Sequence, residues 1–261
     1  MDLGLKGKTA LVLGAGGGLG AAIARALAQE GTRVAIADVN PEALKNTAKE
    51  IEDNGGEALP LTWDLGDLAA IDVNVRKVED KFGPVDVFVG NTGGPPPTPA
   101  AGQPLDLWSK QFHSMVLSVI GIADRVLPAM RERKWGRIIT STSSGVVAPI
   151  PNLAISNALR LTLVGWSKTL AREVARDGVT VNVAVPGRIL TNRLRSIDEQ
   201  RAKRENRTVE QVMADSTATI PVGRYGEPGE YAAMVAFLAG APASYVTGSV
   251  IRIDGGLIAS I

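Results

Sequence analysis

The stretch that decides the fold is Thr9-Ala10-Leu11-Val12-Leu13-Gly14-Ala15-Gly16-Gly17-Gly18-Leu19-Gly20. Its apolar half reads as a buried strand, Thr9 to Leu13. Its glycine half reads as a turn, and Leu19 to Gln29, rich in Ala and Leu and stopped by Gly31, reads as a helix. Glycines between a strand and a helix serve a phosphate site for a physical reason. Side chains would keep the backbone from the pyrophosphate, and the turn needs dihedrals that a Cβ disfavours. The helix opening at Gly18 then points free N–H groups and its positive dipole end at the anion.

Outward from this unit, short apolar runs keep alternating with helical patterns, which predicts a doubly wound parallel sheet covered on both faces, an α/β fold. Arg33 to Ala37, Ala58 to Leu61, Val85 to Val89, Arg137 to Thr140, Thr180 to Val185 and Ser249 to Ile253 read as strands. Helices are expected from Pro41 to Asp53, Leu68 to Phe82, within Pro104 to Met130, within Asn152 to Arg176, and from Glu230 to Ala239. Two segments break the pattern: the stiff loop Gly93-Gly94-Pro95-Pro96-Pro97-Thr98-Pro99, and a charged, lid-like insertion at about 191–222. With no linker composition and no repeat, residues 1–261 read as one domain.

Composition removes several classes of function. The 28 basic and 27 acidic residues nearly cancel, which argues against a nucleic-acid surface. There is no cysteine and one histidine, His113, so no metal site is expected. The N-terminal residues have no apolar signal core and no uninterrupted run is long enough to span a membrane, so the expected location is cytoplasmic and the expected partner a small-molecule substrate.

Asp38 closes the second strand at the spacing from the glycines where a carboxylate accepts from an adenosine ribose. Its alternative is a helix cap ahead of Asn40-Pro41. A carboxylate there repels a 2′-phosphate, and Gly17 supplies no cation, so the reading favours NAD(H) over NADP(H).

Gly14, Gly18 and Gly20 give G-x-x-x-G-x-G, with Leu19 in the slot where the longer dinucleotide enzymes carry their third glycine. This resembles the classical short-chain dehydrogenases/reductases, specifically their 3-oxoacyl-carrier-protein reductase-like branch. Asp64-Leu65, Asn91-Thr92-Gly93, Arg137 to Ser143, Asn182 to Gly187 with Thr191, Gly223 to Pro228, and Asp254-Gly255-Gly256 resemble further motifs of that family. The resemblance implies a Rossmann sheet of about seven strands and a homo-oligomer, tetramer or dimer. It implies cofactor contacts at Gly14, Gly16, Gly18, Leu19, Gly20, Asp38, Asp64, Leu65, Asn91, Gly93, Arg160, Pro186, Gly187, Ile189 and Thr191. It also implies that Ser143 is the catalytic serine.

The same alignment of motifs shows departures. Counting from Ser143, the family's tyrosine slot holds Ser156 and its lysine slot Arg160; Trp166-Ser167-Lys168 keeps the frame downstream. The slot of the relay asparagine holds Met115. A serine hydroxyl is a poor acid near neutral pH, and an arginine donates hydrogen bonds without accepting a proton. Ser143, Ser156 and Arg160 are the candidate catalytic set, able to hold an oxyanion. Tyr225, Tyr231, Tyr245 and His113 are the other titratable candidates. Arg188 either clamps a substrate carboxylate or forms a surface ion pair. The lid cations Arg193, Arg195, Arg201, Lys203, Arg204 and Arg207 either attract an anion or pair with Asp198, Glu199, Glu205 and Glu210. Trp108 and Trp166 read as packing residues.

Three functions stay open at this level. One is an NAD(P)-dependent oxidoreductase acting on a carbonyl or alcohol with a non-standard proton relay. The second is an inactive dinucleotide-binding homologue, a sensor or partner subunit. The third is non-redox chemistry in the same pocket.

Overall fold

The computed structural model describes residues 1–261. Seven parallel strands form one sheet in the order β3-β2-β1-β4-β5-β6-β7. They are β1 (Thr9–Leu13), β2 (Arg33–Asp38), β3 (Glu57–Thr62), β4 (Val87–Asn91), β5 (Gly136–Ser141), β6 (Val179–Pro186) and β7 (Val250–Ile253). The helices are α1 (Gly18–Gln29), α2 (Pro41–Asp53), α3 (Ile71–Phe82), α4 (Leu105–Phe112), α5 (Ser118–Glu132), α6 (Ala154–Val174), α7 (Asn192–Glu205), α8 (Val209–Ala218) and α9 (Pro228–Ala239). The doubly wound Rossmann reading is therefore correct.

The near-continuous apolar runs follow from burial on both faces. One face is covered by α1, α2 and α9 through Ile23, Leu27, Leu44, Ile51 and Tyr231. The other is covered by α3, α5 and α6 through Val78, Val119, Ile122, Leu159 and Leu163, with Trp108 and Trp166 packed at its margin as expected. Helix α2 begins as its sequence dictates: the Asn40 side chain accepts from the N–H groups of Glu42 and Ala43, and Pro41 occupies the first turn.

Three elements differ from the sequence reading. The long helix expected within 104–130 is broken by a π-turn, His113–Leu117, between α4 and α5. Hydrophobic periodicity does not register one extra residue in a turn, so the sequence reading passes over it. The combined stretch Leu105–Glu132 is apolar and long enough to cross a membrane by composition alone. Its apolar residues Met115, Val119, Ile122 and Val126 lie instead against the sheet. Strand β4 starts two residues later than expected because Asp86 belongs to the approach to the strand, where its carboxylate accepts from Thr9 N–H at 3.0 Å. The charged insertion is two helices, α7 and α8, held by opposite-charge pairs such as Arg201–Glu205 and Arg207–Asp215. Its ends meet where Ile189 pairs with Gly226 in a short parallel bridge.

Gly178 sets the turn between α6 and β6 at φ +73°, where an added Cβ would collide with the Lys134 carbonyl. Gly178→Ala is expected to destabilise the protein by about 2–3 kcal/mol, read as a shifted midpoint in urea denaturation with an unchanged slope.

Candidate active site

The strand order reverses between β1 and β4, and the carboxyl ends of these strands open the crevice where a doubly wound sheet takes its ligand. The glycine loop lies at this point. Gly14 and Gly18 hold φ of +59° and +55°, and a Cβ on Gly20 would overlap the Gly14 carbonyl. Asn91, ending β4, donates from Nδ2 to the carbonyls of Leu13 and Gly14 at 3.3 and 3.4 Å. It thereby ties the loop to the neighbouring strand. No side chain caps α1 and its first turn carries no acid, so the N-terminal N–H groups remain for an anion. A flat, side-chain-free cradle over an uncapped helix end fits a dinucleotide pyrophosphate.

Further along the crevice, Gly187 packs against Asp254, where a Cβ would lie 2.5 Å from that residue's Cα. Gly187 N–H donates to the Ile253 carbonyl, fixing the turn after β6. Thr191 caps α7 through Leu194 N–H, and its methyl lies 3.5 Å from a Cβ built on Gly18. The insertion therefore begins directly over the glycine loop. Leu65 is half-buried beside Asp64, whose carboxylate accepts from Gly66 N–H at 2.8 Å. Asn91, Gly93, Pro186, Gly187, Ile189 and Thr191 thus border the same sheet edge as Gly14, Gly16, Gly18, Leu19 and Gly20.

Ser143 follows β5, and its hydroxyl accepts from Gly145 N–H at 3.2 Å. Ser156 and Arg160 are both buried on α6, one turn apart. Arg160 is tied to the backbone: it donates to the carbonyls of Ser141 (3.2 Å), Thr92 (3.0 Å) and Gly93 (3.1 Å). It pins the ends of β4 and β5 together. Desolvation, reinforced by nearby Arg193, lowers its pKa to about 10, against a raising influence of Tyr231. It remains cationic at neutral pH. Met115 is buried in the π-turn, and His113 is exposed.

None of the spare tyrosines replaces the missing one. Tyr231 is fully buried with its hydroxyl 2.8 Å from Ser141 Oγ, and desolvation raises its pKa. Tyr225 donates to Asp198 at 2.7 Å, and Tyr245 is fully exposed. Arg188 lies 4.0 Å from the buried Asp198, which favours the ion-pair reading over a substrate clamp. Lys168, exposed, donates to the Gly248 carbonyl. Arg193, expected from the sequence only as one of several lid cations, reaches back from the first turn of α7 to the carbonyls of Gly94 and Pro95 at 3.4 and 3.2 Å. Its position two residues past Thr191 was the available signal.

A family model described as enoyl-(acyl carrier protein) reductase matches residues 14–258. The chain belongs to the short-chain dehydrogenase/reductase family. The 3-oxoacyl-[acyl-carrier-protein] reductase FabG of Salmonella typhimurium is 36% identical over 259 residues, covering 98% of this chain and 99% of the relative. An actinorhodin polyketide ketoreductase variant, solved with NADPH, superposes with a TM-score of 0.91 at 36% identity over 96% of this chain and 97% of that one. L-sorbose reductase from Gluconobacter frateurii, solved with NADPH and L-sorbose, gives a TM-score of 0.95 at 28% identity, with 100% of each chain covered. As a member of the short-chain dehydrogenase/reductase family, the chain is an NAD(P)-dependent oxidoreductase.

The same likeness corrects the cofactor expectation. The similar reductases hold NADPH, and the preference for NAD(H) drawn from Asp38 falls. Asp38 Oδ2 accepts from Gly16 N–H and Oδ1 from Asn40 N–H, each at 3.1 Å. These bonds tie the end of β2 to the glycine loop. The helix cap is Asn40, so the cap alternative for Asp38 does not hold.

Two outcomes test this geometry. Gly20→Ala is expected to abolish NADPH binding in a fluorescence titration, because the Gly14 carbonyl must move out of the cradle. Arg160→Ala removes the side-chain donor to two buried carbonyls and to that of Gly93 and is expected to cost about 3 kcal/mol in urea denaturation.

Proposed function

We propose that this protein is an NADP(H)-dependent reductase of a small carbonyl substrate whose proton comes from solvent rather than from a tyrosine. The observation that supports it is the completeness of the cradle on the nicotinamide side. Asn91, Gly93, Gly187, Ile189 and Thr191 are held in place by Asn91's own hydrogen bonds, the Gly187–Asp254 contact, the Ile189–Gly226 bridge and the Thr191 cap. A protein that kept the dinucleotide only as ballast needs the glycine loop and not this second half.

Bound NADPH supplies the hydride. The chain's contributions are positioning and charge. Ser143 lies half-buried past the end of β5, and its hydroxyl donates to the substrate oxygen while its lone pair holds Gly145 N–H. The buried guanidinium of Arg160 favours the developing alkoxide electrostatically. Ser156, where a tyrosine ring would otherwise fill the space, leaves room for water, which delivers the proton. Ser143, Ser156 and Arg160 are the residues on which this reading depends.

The test is NADPH oxidation over a panel of ketones, aldehydes and oxo acids. Turnover is expected, with Ser143→Ala lowering kcat by about a hundredfold and leaving the dissociation constant of NADPH unchanged. The double variant Ser156→Tyr/Arg160→Lys is expected to raise the rate and shift its pH profile. Tight NADPH binding without turnover in either protein would instead assign the chain to a sensing or partner-subunit role.

A further inference from the structure

Arg160 and Arg193 share an arrangement that hydrogen bonding alone does not explain. They come from different elements, α6 and α7, and converge on one residue: a Cβ on Gly94 would lie 2.8 Å from Arg193 Nη2 and 3.6 Å from Arg160 Nη2. No carboxylate answers either charge. Three acids of the lid are engaged elsewhere, Asp198 with Tyr225 and Arg188, Glu205 with Arg201 and Arg207, Asp215 with Arg207, and Glu199 and Glu210 pair with neither arginine. Desolvation lowers the pKa of both arginines, and Arg193 lowers that of Arg160 further. Carbonyl oxygens supply hydrogen bonds but no counter-charge, and Arg160, unlike the solvent-exposed Arg193, is buried without an anion, which is costly. The contacts to Ser141, Thr92, Gly93, Gly94 and Pro95 also leave part of each guanidinium's donor set free. In the same loop the Thr92 hydroxyl is buried with no partner.

We propose that Arg160 and Arg193 together bind the carboxylate of an oxo-acid substrate. The inference rests on the reductase reading above and names its substrate class. The pair lies at the ends of β4 and β5, on the Ser143 and Ser156 side of the switch point. Two guanidinium forks on one loop suit a planar, two-oxygen anion. A carboxylate held there is anchored by α7 of the lid and by α6 beside the sheet, so it draws α7 down on the cleft.

The experiment is calorimetric titration of the cofactor-free protein with 3-oxohexanoate and 4-oxopentanoate, each against its methyl ester, with NADPH titrated separately. The acids are expected to bind at least about tenfold tighter than the esters. In Arg193→Gln that ratio is expected to fall towards one, and in Arg193→Lys to recover in part. Equal binding of acid and ester by the wild type, or binding of neither, overturns the proposal. So does a loss of NADPH affinity in Arg193→Gln as large as the loss of acid affinity, which would make the anion a cofactor phosphate. Failure of the wild type to bind NADPH overturns the reductase reading and is seen in its own titration.

Discussion

The contact between Gly20 and the Gly14 carbonyl is the constraint on which the crevice depends. Only the absence of a side chain at Gly20 lets α1 start so close to β1. Only that closeness aims the uncapped helix end at the strand termini. Asn91 extends the constraint sideways, since its amide ties β4 to the carbonyls of Leu13 and Gly14. The conformation that suits a pyrophosphate is thus built into the joint of the sheet, and is present before any ligand arrives.

A second set of bonds organises the reacting end. Arg160 reaches three carbonyls at the ends of β4 and β5. A lysine ammonium is a compact point charge and lacks the planar fork that spans such separated acceptors. The exchange of lysine for arginine therefore changes what this position does. The guanidinium fastens the ends of two strands while part of its donor set stays free. With Tyr231 held against Ser141 behind the same strand, the region is stiffer than a tyrosine–lysine pair facing solvent would make it.

Much of this was legible in the chain itself. The strand–glycine–helix order fixed the site, because backbone approach to an anion admits few residue types. The alternation of apolar runs gave the sheet, and the paired charges of the insertion gave helices with solvated faces. What stayed hidden depends on tertiary geometry. The direction of the Asp38 carboxylate is set by the Gly16 and Asn40 N–H groups, and a sequence shows only that an acid is present. The π-turn at His113–Leu117 leaves the apolar pattern almost intact. Arg193 looked like one more surface charge, because nothing local says that its side chain folds back over Gly94.

The bridge between Ile189 and Gly226 brings the two ends of the lid side by side. Everything between them hangs from a closed neck, so its length and sequence add little to the entropy of joining β6 to α9. The excursion is in effect a cassette. Substrate range drifts by exchanging its helices, while the sheet beneath keeps the glycine loop and the turn at Gly187.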